Sequence, residues 1–186
     1  GTATTRAYAT AYGADGRAYT GGSLRLPAGT YALDAQVFED GEGVTLLHRP
    51  SLTLDRDTTV EMDARRGRPI TVTAPGRPVY AQVAVTLPGG ATAAVQDDAF
   101  AGITAAQLGP GRAGLRTDVA ATFAAPGALY SLAWPVPGTY VTGFTRTVTG
   151  RAGLSVTRAA SGGTGTGAMT RLSPTGGYTS VFPLPH

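Results

Sequence analysis

Short runs of alternating apolar and polar residues, cut at close intervals by glycine-containing turns, constrain this chain more than any other feature. In residues 30–38, Tyr31, Leu33, Ala35 and Val37 share one face, while Ala32, Asp34 and Gln36 share the other. Period two with one polar face is the pattern of a half-buried strand. Asp15-Gly16 separates the alternating run 6–12 from the residues after Ala18, and Asp40-Gly41 separates 30–38 from 44–49. Asp-Gly marks tight hairpins because its glycine adopts positive φ at little cost. Further strands are predicted at 52–54, at 58–63 with Val60 and Met62 inward, and at 70–73, 79–87, 129–134, 141–148 and 154–157. Turn signals therefore recur about every 8–12 residues, as sandwiches require. Residues 91–122 are Ala-rich and less patterned, and a short helix over 100–108 is the competing expectation there.

The predicted fold class is all-β, with little helix. The chain has 186 residues, 42% of them hydrophobic, which suits one large β domain or two small ones. Only 15% are charged, and 27 Gly and 13 Pro punctuate the rest. A helical bundle or coiled coil would instead be rich in Glu, Lys and Leu. The break Ala74-Pro75-Gly76-Arg77-Pro78 marks a domain boundary or a sharp crossing. The expected organisation is two antiparallel β-sandwich units in tandem, immunoglobulin-like or transthyretin-like, over 1–74 and 78–159. Residues 160–186 read as a Gly/Ser/Thr-rich linker running into the start of a further strand.

The formal charge is +3, and all 15 cations are Arg; Lys and Asn are absent. Lys and Asn have AT-rich codons, so the bias points to a GC-rich genome, an actinobacterium. The arginines are scattered, with Arg65, Arg66 and Arg68 as their one cluster, which argues against a nucleic-acid partner. No cysteine is present, which excludes disulfides and thiolate chemistry. No apolar run approaches the ~20 residues of a membrane span. The chain opens Gly1-Thr2-Ala3 without Met and with no signal peptide, so a processed or excised piece of a longer protein is expected.

Serine nucleophilic catalysis needs a base, usually His, held by a carboxylate. The only histidines are His48 and His186, and no Gly-x-Ser-x-Gly elbow occurs. His48, just before Pro50, reads as a surface histidine at a strand end, so no catalytic residues are assigned. Asp55, Asp57, Glu61 and Asp63 fall within nine residues. Asp55-Arg56-Asp57 could offer calcium two hard oxygens in a turn. The ordinary reading is a solvated turn with ion pairs to Arg56, Arg65 and Arg66, and no cofactor. Tyr130, Trp134 and Tyr140 could stack on sugar rings, yet Tyr130, Leu132 and Trp134 share an apolar strand face, which more often means core. Tyr8 and Tyr12 read the same way. Residues 163–167 resemble a glycine-rich phosphate loop, but they lack the Lys and the strand-then-helix context.

Pro27-Ala28-Gly29-Thr30-Tyr31, followed by an alternating strand, resembles the Pro-x-Gly-x-Tyr strand start of transthyretin-like and carboxypeptidase-regulatory-like sandwiches. The run from Leu24 through Arg49-Pro50, then Leu54-Asp55-Arg56-Asp57-Thr58-Thr59-Val60, Asp63-Ala64-Arg65 and Pro69-Ile70-Thr71-Val72, is similar to a region downstream of the catalytic domain in large secreted subtilisin-like serine peptidases of Streptomyces and relatives. The resemblance covers residues 20–75. It implies a secreted, non-catalytic accessory domain that braces or positions the catalytic domain of its own parent chain. The alternative is an extracellular module that binds carbohydrate or cell wall, with an extracellular protein or polysaccharide as partner. A third reading, a small hydrolase, would need a carboxylate pair within the weakly patterned residues 91–122.

Overall fold

The computed structural model describes residues 5–39, 43–126, 128–149, 168–172 and 179–183, and it is almost entirely β. Seven strands form the larger sheet, here sheet I: β1 (Thr5–Gly13), β2 (Ala18–Thr20), β3 (Gly29–Glu39), β4 (Gly43–Leu54), β5 (Arg68–Thr73), β8 (Ile103–Gln107) and β11 (Phe144–Thr147). Their spatial order is β11-β5-β8-β4-β3-β1-β2. Sheet II is the four-stranded β10-β9-β6-β7, from β6 (Arg77–Thr86), β7 (Thr92–Asp97), β9 (Arg116–Ala125) and β10 (Ala128–Pro137). A separate pair, β12 (Ala168–Leu172) and β13 (Thr179–Pro183), is antiparallel. Part of the expected linker is thus a strand; the rest of it, the predicted strand at 154–157 and residues 163–167 lie outside the described residues.

The predicted hairpins form where the turns indicated. Gly16, at φ 80°, closes β1 onto β2, with the Gly16 N–H donating to the Gly13 carbonyl at 3.0 Å. β3 pairs with β4 from Glu39/Gly43 onward; Asp40-Gly41 itself lies outside the described residues. Two parallel pairs, β4 with β8 and β5 with β11, make sheet I mixed where an antiparallel sheet was expected. The break around Pro75 is the crossing from sheet I to sheet II. Gly76 adopts φ 98° there, and a Cβ on it would collide with the Ala124 carbonyl. β8, from beyond that break, lies between β4 and β5, and the main core draws Leu46, Ile70, Val83, Val119 and Leu132 from both sides of it. Described residues on both sides of the break therefore contribute to one main core.

Sheet I is covered on both faces. Val44, Leu46, Ile103 and Ala105 face sheet II, while Ala35, Val37, Leu47, Ala106 and Leu108 form a second cluster closed by Met62 and Ala64. This double burial explains two differences from the sequence reading. Residues 58–63 form no strand; they run as an irregular segment into a 3-10 turn (Ala64–Arg66), and Met62 still points inward as the cover of the second cluster. Residues 100–108 hold β8 rather than a helix, because small apolar side chains suit a strand buried on both faces, which shows no alternation to read.

Tyr31 closes its own turn. Its hydroxyl donates to the Pro27 carbonyl at 2.8 Å, and Tyr19 meets its ring edge-on at 6.3 Å. Immediately beyond, a β-bulge between Tyr31 and Leu33 accommodates buried Pro50, which has no N–H to give the ladder.

Leu47 has no exposed surface, so Leu47→Ala is expected to cost about 2–5 kcal/mol in chemical denaturation, through lost burial and a residual cavity. Tyr31→Phe keeps the ring and removes one hydrogen bond. A loss of about 1 kcal/mol is expected in the same measurement.

Candidate functional site

His48 is not at the surface. β4 runs on to Leu54 through the middle of sheet I, so His48 lies between the sheets with no exposed surface. On the same face, its cross-strand neighbours are Asp34 on β3 and Gln107 on β8. His48 Nδ1 is 3.4 Å from Asp34 Oδ1, and the Tyr140 ring lies over the imidazole at 5.1 Å and 37°. Gln107 holds Tyr140 in place. Its Oε1 accepts from the Tyr140 N–H at 2.6 Å and from Thr139 Oγ1 at 2.9 Å, while its Nε2 donates to the Gly109 carbonyl at 2.8 Å. From sheet II, buried Thr117 donates its hydroxyl to the Thr139 carbonyl at 2.8 Å.

An Asp beside a His is the geometry of a general base with its orienting carboxylate. Catalysis also needs a nucleophile on the imidazole and a route for substrate. Neither ring nitrogen has a hydrogen-bond partner among the described residues, and the ring is sealed under Tyr140. Through Gln107, Thr139, Tyr140 and Thr117 the cluster links sheet I to sheet II.

The other residues singled out by sequence fall elsewhere. Asp55 and Asp57 are exposed in the turn after β4, and Asp55 lies 3.7 Å from Arg56. Asp63 turns away from them: it caps the 3-10 turn at the Arg65 N–H and takes a two-pronged contact from the Arg65 guanidinium, each bond 2.9 Å. That guanidinium holds its carboxyl below the usual range. No group of three or more His, Asp or Glu is placed to hold a metal among the described residues, so no third carboxylate or imidazole joins Asp55 and Asp57 there. Tyr130 and Trp134 are half-buried against the main core, Trp134 lying 5.7 Å from Phe144. Tyr140 is buried, so the expected stacking set of Tyr130, Trp134 and Tyr140 does not form an exposed platform.

The exposed aromatic pair is Tyr8 and Phe38. The start of β1 and the end of β3 are left uncovered by sheet II. Tyr8 is 57% exposed and Phe38 37%, meeting edge to face at 5.9 Å and 81°. They line an open cleft of about 540 Å³ with Arg6, Glu39, Asp97 and a floor of Val44 and Ile103. Sequence periodicity placed Tyr8 in the core with Tyr12. Tyr12 does pack against the core, whereas Tyr8, nearer the start of the same strand, does not. A second, more apolar cleft of about 420 Å³ opens between the sheets beside Ile70, Phe100 and Phe123.

Burial, and secondarily the Asp34 carboxylate, pushes the Tyr140 phenol well above the ordinary tyrosine range. The unfolded chain releases this proton near pH 10 while the folded chain keeps it. The Tyr140 contribution to stability is thus fully present below pH 10 and is lost as pH rises through the folded-state value. Tyr140→Phe is expected to flatten the alkaline fall in denaturation midpoint above pH 10, measured against wild type.

No helix among the described residues is long and apolar enough to cross a membrane. No protein-family model, curated protein or solved structure matches the chain.

Proposed function

We propose that this chain is a non-catalytic accessory β-sandwich of a secreted bacterial subtilisin-like serine protease, bracing or positioning its catalytic domain. The observation that carries the reading is the closure of the Pro-x-Gly-x-Tyr strand start, in which the Tyr31 hydroxyl returns to the Pro27 carbonyl at 2.8 Å. The resembling segment, residues 20–75, supplies β3, β4, the 3-10 turn and β5. These elements include β4, whose Leu46 and Leu47 are buried on opposite faces, which suits a rigid support. The His48 ring, buried between the sheets, is consistent with a support role. The partner is the catalytic domain of the parent chain, acting outside the cell.

A second reading, an extracellular carbohydrate- or cell-wall-binding module, is favoured by the exposed Tyr8–Phe38 pair in its open cleft. The two are compatible, since a support domain can also hold its enzyme on a surface.

The test captures the native parent from culture supernatant with an antibody to this chain and treats it with a fluorophosphonate probe for active serine. Labelling of a much larger polypeptide is expected. A short, unlabelled parent would end the accessory reading.

A further inference from the structure

Resting on the carbohydrate-binding reading, we infer that the cleft formed by Arg6, Tyr8, Phe38, Glu39 and Asp97 is a subsite for an uncharged glycan, with a pyranose ring stacked against Tyr8. Cross-strand pairing sets Arg6 beside Phe38, and Phe38 beside Val44, so these three lie on one face of sheet I. Asp97, at the end of β7, brings a carboxylate from sheet II to the same opening. The site therefore depends on how the two sheets dock.

The chemistry selects a sugar. A pyranose ring has an apolar C–H face and a rim of hydroxyls that both donate and accept. The cleft offers an exposed aromatic ring, braced edge-on by Phe38, for that face. Around it stand one guanidinium that donates and two carboxylates that accept. Among the described residues, neither Arg6 nor Glu39 is held in an ion pair. Asp97 uses Oδ1 for the Asp98 N–H at 2.6 Å. A volume of about 540 Å³ falls in the small-ligand range of about 300–1,000 Å³. Two carboxylates against one guanidinium disfavour phosphate, sulfate and uronate groups. The favoured units are neutral hexoses and N-acetylhexosamines.

The 186-residue protein would be tested for retention on insoluble cellulose, chitin and mannan. Soluble cello- and chito-oligosaccharides would be titrated by NMR. Retention on at least one polymer is expected, with Tyr8→Ala weakening it roughly tenfold, the scale of a lost stacked ring with part of its buried area. Asp97→Asn, on the other sheet, is expected to weaken it several-fold with an unchanged thermal midpoint. Trp134 emission is expected to ignore the glycan. Binding that survives both substitutions would overturn this site while leaving the carbohydrate reading standing. No retention on any of the polymers and no NMR response would overturn both, and preferential retention on an anionic polymer such as polygalacturonate would overturn the assigned ligand class.

Discussion

Leu46 and Leu47 are adjacent on one strand, point to opposite faces, and are both almost wholly buried. The rest of the structure follows from that double burial. A strand exposed to apolar neighbours on both sides must be central in its sheet and covered twice. β3 and β8 flank it, sheet II covers one face, and the segment carrying Met62 and Ala64 covers the other. Ala105 and Ala106 on β8 repeat the arrangement. Ala105 faces sheet II and Ala106 faces the second cover. At Gly43, where β4 begins at φ 101°, a Cβ would overlap the Gly102 carbonyl, and the Val44 N–H donates to that same carbonyl at 2.9 Å. Glycine at 43 therefore lets β4 and β8 lie side by side from their first residues.

The two sheets are joined by more than apolar contact. The passage from β10 to β11 crosses from sheet II to sheet I, and its Thr139-Tyr140 peptide is gripped from both sides, by Thr117 and by Gln107. Buried polar groups are costly when unpaired and directional when paired. This clasp thus fixes the offset between the sheets more sharply than the leucines and valines could. It also seats Tyr140 over His48. Asp34, His48 and Gln107 form a polar row across three strands, with His48 at its buried centre.

That fixed offset has a consequence at the surface. Because sheet II covers only part of sheet I, β1 and the end of β3 overhang, and Tyr8 and Phe38 stay exposed beside Arg6 and Glu39. Asp97 reaches the cleft only through the sheet-to-sheet docking. The supporting core and the proposed ligand surface are therefore two results of one packing arrangement.

The β class, the β1–β2 hairpin at Asp15-Gly16, the Tyr31 turn and the chain's change of direction near Pro75 were legible from local sequence. Each depends on neighbours within a few residues: a glycine at positive φ, a proline without an N–H, or alternating side chains. Tyr130, Leu132 and Trp134 were legible as a core-facing set for the same reason. Only the tertiary structure decided what lies across a strand. It made residues 103–107 a strand, since a doubly buried segment carries no alternation. It placed His48 inside, since strand order rather than the nearby Pro50 sets its exposure. It separated Tyr8 from Tyr12, which share a face in sequence but differ in whether sheet II reaches them. Local periodicity reports which side a residue faces, and long-range packing decides whether anything is there to cover it.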